Sequence, residues 1–207
     1  MHTKKRILDE ALTLFAEKGY ANVYVAQIAA AVGIKAPSLY KHYKSKQDIF
    51  NAILDEMKHN YDRQAAALQM NGDDPTEDAA RFSAISEDEL VAMGMGLFMY
   101  FLHDPYAQKF RKMLTVEQFR DLELSALLTR QYADDPLSYQ STMFSILSAG
   151  GVLKKQNPDV MALQFYAPIY MLLTMCDRDP DREPALTAMA EQHIRQFSRI
   201  YRKEETE

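Results

Sequence analysis

Apolar side chains recur three and four residues apart along most of this 207-residue chain, and no stretch alternates apolar with polar side chains for more than a few residues. The first series contains Ile7, Leu8, Leu12 and Phe15, which fall on one face of a helix with 3.6 residues per turn. Gly19 follows and is predicted to end that helix. With this spacing and only seven glycines, the chain is predicted to be all-α.

Residues typical of helix ends divide the next forty positions into short helices. Gly33 is predicted to close one helix, because glycine readily adopts the left-handed cap conformation. Pro37 lies near the start of the next, where its missing N–H is not needed. Ser45 is predicted to cap a longer helix, with Asp48 as its capping-box partner. The three helices are predicted over residues 27–32, 36–43 and 45–70.

The segment 71–76 is the strongest predicted break between helices, since it combines turn-forming residues with Pro75. Helical spacing resumes after it. The further helices are predicted over residues 86–102, 105–131 with a bend, 135–150, 158–176 and 184–203.

Positive charge is concentrated in the first part of the chain. Residues 1–60 contain nine Lys and Arg against six Asp and Glu, a net charge of +3, whereas residues 61–207 carry a net charge of −8. The basic part is the one that can approach a polyanion such as double-stranded DNA.

The compartment is predicted from one cysteine and two uncharged runs. Cys176 is the only cysteine, which fits a reducing cytoplasm. Acidic residues interrupt the apolar stretch after the basic N-terminus, so no signal peptide is predicted. Polar residues or proline interrupt the runs 136–153 and 160–176, which are interpreted as buried helices of a soluble protein. We predict a cytoplasmic protein without a membrane partner.

Three segments of the first sixty residues share the pattern of a known family. They read IAAAVGI over residues 28–34, PSLYKHY over 37–43 and SKQDIF over 45–50. In this order and spacing they resemble the DNA-binding domain of the TetR (tetracycline repressor)/AcrR family. The resemblance implies a helix-turn-helix DNA-binding domain over residues 1–48, with the motif at about 24–43, and a helical ligand-binding and dimerisation domain over residues 49–207.

The second helix of such a motif projects outward and is about as wide as the major groove of B-DNA. Leu39 is expected to point into the helical bundle. The side chains predicted to read bases are Lys35, Ala36, Pro37 and Ser38, with help from Gln27, and Lys41 is also expected to reach the DNA surface. Residues at positions where the resembled family commonly contacts the DNA backbone are Tyr40, His42 and Lys46.

The sequence departs from the family pattern at two places. The family usually has Thr or Ser as the cap of the second helix, where this chain has Val23 and Tyr24. Tyr24 is predicted to contact a phosphate through its phenol and Asn22 to cap the helix. Pro37 and Ser38 replace a Gly-Thr pair that is often found inside the recognition helix. This replacement affects which residues contact bases, but not the fold.

The two C-terminal helices, at 158–176 and 184–203, have more apolar surface than the core of one monomer needs. The resemblance implies that such a pair meets its copy in a four-helix dimer interface. Two recognition helices related by a two-fold axis read a palindrome, whereas a single helix reads too few base pairs to be specific for one sequence. The alternative is that both helices simply belong to the monomer's core.

The middle of the chain is rich in methionine and aromatic residues. Methionine repacks around different shapes, so a bundle of such helices can enclose a small apolar or aromatic effector. The alternative is that these side chains form an ordinary core. The predicted ligand contacts are Phe98, Phe101, Met113, Phe144 and Met171.

The sequence contains no pattern typical of a nucleophile with its base, a catalytic carboxylate pair, a phosphate-binding glycine loop or a metal cluster. We therefore predict a protein that is not an enzyme and has no cofactor and no metal. The predicted function is that of a ligand-responsive repressor acting as a homodimer on a palindromic operator. Two alternatives stay open: an activator of the same family, and a helical adaptor or ligand-binding protein that does not act on DNA.

Overall fold

The computed structural model describes residues 3–203, and its regular structure is helical. The helices are α1 (Thr3–Lys18), α2 (Val25–Val32), α3 (Ala36–Tyr40), α4 (Lys46–Ala67), α5 (Pro75–Phe82), α6 (Glu87–His103), α7 (Pro105–Glu117), α8 (Leu122–Thr129), α9 (Asp135–Ala149), α10 (Pro158–Arg178) and α11 (Glu183–Tyr201). A π-helical turn, Arg130–Asp134, precedes α9, and a 3-10 turn, Pro180–Arg182, precedes α11. Residues 3–203 contain no strand, only an isolated bridge between Leu153 and Arg202. The all-α prediction is confirmed.

The described residues divide into two compact units. The first unit comprises residues up to Tyr61 together with Asp104–Leu128. The second unit comprises Asp62–His103 together with residues from Thr129 onward. Helix α4 therefore begins in the first unit and ends in the second. The predicted boundary after residue 48 lies within α4, and the domain assignment of 1–48 and 49–207 stays a prediction.

Apolar faces of α1, α2, α3, α4 and α7 form the interior of the first unit. The predicted face of α1 is buried, and Phe15 at its end has no exposed surface. The ring centroids of Phe15 and Tyr20 lie 5.0 Å apart, and those of Tyr20 and Phe50 lie 5.1 Å apart. Phe110 of α7 continues this aromatic series, at 6.1 Å from Phe50. Burial of these large side chains is the main favourable contribution to the folding of the unit.

Two clusters of apolar side chains form the interior of the second unit. One surrounds Phe144 and Phe197, whose rings stack with centroids 5.3 Å apart. The other surrounds Phe98 and Leu172. α10 packs against α9, α11 and α6, and so takes part in both clusters.

Acidic or amide caps begin four of the helices. Asp74, Asp104 and Asn157 each accept hydrogen bonds from two backbone N–H groups in the first turn that follows. Each of these caps is followed by a proline at the first helical position, which has no N–H to leave unpaired. Asp121 caps α8 in the same way, accepting from the N–H groups of Glu123 at 2.9 Å and Leu124 at 3.1 Å.

Two of these caps begin helices that were not predicted. The predicted break at 71–76 is found between α4 and α5, but Asp74 and Pro75 begin α5 within that segment, and α5 was not predicted. The single helix predicted over 105–131 is wrong, because α7 ends at Glu117 and Asp121 starts a new helix. Other ends differ by a few residues, for example at α3, which ends at Tyr40 instead of residue 43.

α10 is less buried than predicted. It has 21 residues and a mean hydropathy of 1.3 over its most apolar window, so by length and composition alone it could cross a membrane. Only 28% of that window is buried within the structure. The interpretation of residues 160–176 as a buried helix is therefore wrong, because Val160, Leu163 and Met171 are each about half exposed.

Candidate nucleic-acid interface

Gly33 forms the turn between α2 and α3. Its φ is 77°, in the left-handed region that favours glycine. Its N–H donates to the carbonyl of Ala30 at 3.0 Å, and the N–H of Ile34 donates to the carbonyl of Ala29 at 2.9 Å. These bonds satisfy the last carbonyls of α2 and turn the chain towards α3. The predicted helix end at Gly33 is confirmed.

α3 is a short helix anchored from one side. The carbonyl of Lys35 accepts from the N–H groups of Ser38 at 2.9 Å and Leu39 at 3.2 Å, which closes the first turn. Leu39 is completely buried, as predicted. Pro37 lies in the first turn, where its missing N–H is not needed. Anchoring by Leu39 leaves Lys35, Pro37 and Tyr40 exposed.

The start of α2 is built differently from the prediction. Tyr24 is the N-cap residue, and its backbone N–H donates to Oε1 of Gln27 at 2.7 Å. Asn22 does not cap α2, because its Nδ2 donates to the carbonyl of Lys18 at 2.8 Å, at the end of α1. With its carbonyl oxygen engaged, Gln27 has its amide nitrogen left for DNA. The Tyr24 side chain is 70% exposed and is free to approach a phosphate.

Ser45 and Asp48 define the start of α4. The Ser45 hydroxyl accepts from the N–H of Asp48 at 2.9 Å, and the Asp48 carboxylate accepts from the N–H of Lys44 at 3.0 Å. The predicted cap is confirmed. Lys46, the first residue of the helix, is thereby held at a fixed place next to the turn that follows α3.

The ammonium group of Lys46 has contacts inside the first unit. Its Nζ donates to the carbonyl of Tyr20 at 2.8 Å and lies 4.3 Å from the centroid of the Tyr20 ring. Burial lowers the pKa of Lys46, and the nearby Glu117 carboxylate acts in the opposite direction. An ammonium has three donors, so two remain for a phosphate. Sequence reasoning missed Tyr20, although it directly follows the helix-ending Gly19.

The basic residues of α1 serve the first unit itself. Nζ of Lys5 lies 2.9 Å from Oε1 of Glu56 in α4 and 3.9 Å from the centroid of the Tyr106 ring. Nη2 of Arg6 donates to the carbonyl of Val32 at 2.6 Å, at the end of α2. Arg6 therefore ties α1 to the end of α2, and Lys5 ties α1 to α4 and α7.

None of the ten predicted DNA-contacting residues is buried, and all lie between Tyr24 and Lys46. Five are exposed, namely Tyr24, Lys35, Pro37, Tyr40 and Lys41. Five are partly buried, namely Gln27, Ala36, Ser38, His42 and Lys46. Their ammonium, phenol, hydroxyl, imidazole and amide groups can all donate hydrogen bonds to phosphate oxygens or base edges.

The second unit contains a cavity of about 90 Å³. Of the five predicted ligand contacts, Phe144 lines it. Phe98 is buried in a different core cluster, with Phe101 packed against that cluster. Met171 is exposed, and Met113 is buried in the first unit. The structure thus does not bring the five side chains together, because helical spacing alone does not say which helices meet.

No group of three or more His, Cys, Asp or Glu side chains within residues 3–203 is arranged to hold a metal ion. Cys176 is buried and is not part of a disulfide.

Comparison with known sequences shows that the first part of the chain is similar to one family. The sequence model of bacterial regulatory proteins of the tetR family matches residues 7–53. IcaR of Staphylococcus epidermidis, the negative transcriptional regulator of the biofilm operon icaADBC, is 40% identical over 67 residues, covering 28% of this chain and 36% of IcaR. IcaR of Staphylococcus aureus is 49% identical over 47 residues, covering 23% and 25%. The chain thus spans 36% of the length of one of these relatives and 25% of the length of the other.

Solved structures share the fold over nearly the whole chain. One, described as a TetR-family regulator of Mesorhizobium loti, superposes with a TM-score of 0.69 at 17% identity and covers 97% of both chains. SmeT, the repressor of the multidrug efflux pump SmeDEF of Stenotrophomonas maltophilia, superposes with a TM-score of 0.63 at 20% identity, covering 99% of this chain and 93% of SmeT. At these identities the likeness concerns the fold, a helix-turn-helix domain followed by helices.

The sequence match and the fold agree on the same helices. Residues 7–53 run from α1 through the turn at Gly33 into α4, which is the segment whose caps and exposed side chains are described above. The family is one of transcriptional regulators, which are not enzymes. Residues 7–53 thus match the tetR family of bacterial regulatory proteins, and the fold of residues 3–203 is shared with solved structures described as TetR-family regulators.

Proposed function

We propose that this protein is a sequence-specific DNA-binding transcriptional regulator that acts as a repressor in the cytoplasm. The observation that carries the proposal is the α2–turn–α3 arrangement, in which buried Leu39 anchors α3 and leaves Lys35, Pro37 and Tyr40 exposed. IcaR is named a negative regulator and SmeT a repressor, and both names support repression.

The exposed side chains divide into two roles. Lys35, at the start of α3, is suited to donate to guanine in the major groove, and Ala36 or Pro37 to touch a thymine methyl group. Ser38 and the amide nitrogen of Gln27 complete the set proposed to read bases. The residues proposed to bind phosphates are Tyr24, Tyr40, Lys41, His42 and Lys46. Phosphate contacts position the protein on DNA, whereas base contacts select the sequence.

Homodimerisation is part of the proposal and is supported by the exposed faces of α10 and α11. On α10, Val160, Leu163 and Met171 are about half exposed and, at spacings of three and eight residues, share one face. On α11, Met189 and Ile200 are also about half exposed. α10 and α11 contact each other, and the proposed interface with a second copy is formed by residues 158–176 and 184–203.

A pair of matched substitutions tests the dimer. Leu163→Glu places a charge on the proposed interface, and we expect a shift from dimer to monomer in light scattering coupled to gel filtration. Leu122→Glu is the control, since Leu122 is even more exposed but lies at the start of α8. A monomeric wild type, or equal effects of both substitutions, would contradict the proposed interface.

The proposed repressor responds to an effector bound in the second unit. A structure of SmeT with triclosan shares this fold, with a TM-score of 0.66 at 19% identity, and supports a small apolar or aromatic effector. If the effector lowers DNA affinity by some factor, DNA lowers effector affinity by the same factor. α4 is the proposed coupling element, because it contributes residues to both units.

Selection of bound sequences from a random duplex library with the purified protein tests DNA recognition. We expect enrichment of a palindrome, as two identical half-sites require. On that palindrome, Lys41→Ala should reduce the slope of log affinity against log salt by about one unit, as expected for one lost phosphate contact. Lys155→Ala is the control, since it removes the same charge from an exposed position in the second unit. Absence of any DNA binding at low salt would favour the helical adaptor instead.

A further inference from the structure

The cavity of the second unit has a wall that is almost entirely apolar. It lies among α5, α6, α9, α10 and α11, and aromatic rings such as Phe82 and Phe165 form part of it. Three methionines also line it, namely Met70, Met93 and Met143. A volume of about 90 Å³ is smaller than the roughly 150 Å³ of an engineered cavity that binds benzene. Flexible methionine side chains allow such a space to adjust to a ligand of that size.

The charged and phenolic groups in the wall already have partners. The Tyr139 hydroxyl donates to the Asp78 carboxylate. Nη2 of Arg202 donates to the carbonyl of Ile85 at 2.7 Å. An ionised ligand entering this space would lose its hydration without gaining a free counter-charge, which is strongly unfavourable. The wall therefore selects a neutral ligand.

Gln140 is the polar side chain of the wall whose hydrogen bonding is incomplete. Its Oε1 is buried and has no hydrogen-bond partner among the described residues. A buried acceptor without a donor costs free energy, and a ligand that supplies the donor recovers it. A hydroxyl group suits an amide in particular, because it can both donate and accept.

We propose that the cavity binds a compact, neutral and mainly hydrocarbon molecule with one hydroxyl group, and that Gln140 is the residue that recognises the hydroxyl. The ligand is of the size of a monocyclic phenol or a short branched alcohol. The claim that this ligand regulates DNA binding rests on the regulatory function proposed above. The claim that the cavity binds the ligand does not rest on it.

Methionine methyl groups provide a direct readout of the site. The protein is labelled with ¹³C at its methionine methyl groups and titrated with phenol, toluene and benzoate. We expect phenol to shift the signals of Met70, Met93 and Met143 and to leave those of exposed Met171 and Met189 and of Met113 in the first unit unchanged. Phenol should bind about tenfold more tightly than toluene, and benzoate should not bind.

Replacement of Gln140 tests the recognition of the hydroxyl. Gln140→Met, of nearly equal size, should remove the preference for phenol over toluene while toluene still binds. Gln192→Met, on an exposed position of α11, is the control and should change neither affinity. Retained toluene binding shows that the variant is folded, and Gln140→Leu is a second variant with the same expected result.

The outcomes separate this proposal from the regulatory one. Tighter binding of benzoate than of phenol, shifts at Met171 or Met113 alone, or an unchanged phenol preference in both Gln140 variants would overturn the proposed ligand class. If phenol binds as expected but palindrome affinity is the same with and without it, the site stands and the ligand-responsive part of the proposed function fails.

Discussion

Asp78 in the second unit and Glu117 in the first are both almost completely buried carboxylates, but the two units treat them differently. Asp78 accepts hydrogen bonds from the N–H of Asn71 at 2.7 Å, from the N–H of Gly72 at 2.8 Å and from the Tyr139 hydroxyl. Neither oxygen of Glu117 has a hydrogen-bond partner among the described residues.

The difference shows that burial alone does not determine whether a carboxylate stabilises or destabilises the fold. Asp78 holds the turn that follows α4, because it collects the N–H groups of that turn. Glu117 lies directly against the backbone of Gly19 and acts electrostatically on Lys46, which is proposed to bind DNA. A buried carboxylate that accepts no hydrogen bond lowers the free energy of unfolding. We therefore infer that Asp78 stabilises the second unit and that Glu117 destabilises the first.

The largest effect is expected for Asp78→Ala. The change removes an acceptor from three donors and leaves two backbone N–H groups buried or strained, so the free energy of unfolding should fall by about 3 kcal/mol or more. Urea denaturation measures the loss, and hydrogen exchange should be faster at Asn71 and Gly72. Asp73→Ala, at an exposed position of the same turn, is the control. Equal losses in both variants would mean that burial of Asp78 does not matter.

The second effect concerns the glycine against which Glu117 packs. Gly19 and Gly33 both have positive φ, so alanine should cost about 1 kcal/mol at either position. A Cβ at Gly19 would also lie 2.1 Å from Oε1 of Glu117, whereas at Gly33 it meets nothing within 4 Å. Gly19→Ala should therefore cost about 2 kcal/mol or more, and thermal denaturation of both variants compares them.

A double variant separates the two causes at Gly19. Combined with Glu117→Ala, the Gly19→Ala change should cost only about 1 kcal/mol, since only the backbone strain is left. If the losses in the free energy of unfolding of the two single variants simply add in the double variant, the crowding between Gly19 and Glu117 is relieved at no cost in the Gly19→Ala variant.

A smaller effect of opposite sign is expected for Glu117→Met. Methionine fills a similar volume without an unpaired charge, so the free energy of unfolding at neutral pH should rise by about 1 kcal/mol. Asp78→Leu is the matched change in the second unit and should be destabilising. If Glu117→Met lowers stability as Asp78→Leu does, the contrast between the two carboxylates is lost.

The smallest effect is expected at a partly buried carboxylate, Glu87. Oε1 of Glu87 lies 2.9 Å from Nη2 of Arg199 and 3.6 Å from Nη1 of Arg195, and the hydrogen bond from Arg199 together with both charges lowers the pKa of Glu87. Its stabilisation is therefore present above the unfolded pKa and is lost as the pH falls through the folded value. Glu87→Gln should be less stable than wild type by under about 1 kcal/mol at neutral pH.

The pH dependence checks the sign. As the pH falls from neutral through the lowered pKa of Glu87, the difference between wild type and Glu87→Gln should shrink, since the wild-type carboxyl group becomes protonated there. A difference that does not change as the pH falls would mean that the ion pairs with the two arginines contribute nothing.

The sequence predicted the helix ends at Gly19, Gly33 and Ser45 accurately, for a local reason. Gly19, Gly33 and the Ser45–Asp48 cap act through backbone groups within five residues, so their patterns can be read along the chain. Asp74 and Asp121 are caps of the same local kind and could have been found, but Pro75 was interpreted only as a break and the residues around Asp121 as continuous helix.

The ligand contacts could not be predicted in this way. Phe98, Phe101, Met113, Phe144 and Met171 share helical spacing and composition, yet they are buried in different clusters, in different units or not at all. Which of them meets a cavity depends on which helices pack together, and no local signal carries that information.

The sequence by itself determined that this chain is helical, where its helix-turn-helix lies and which family its first part resembles, because caps, turn residues and periodicity act over a few residues. Only the tertiary structure decided that Lys46 contacts Tyr20, that Arg6 and Lys5 tie α1 to α2 and α4, and that Gln140 lines a cavity with an amide oxygen that has no hydrogen-bond partner among the described residues. These contacts join residues distant along the chain, and their energies come from burial and charge, which exist only once the helices are packed.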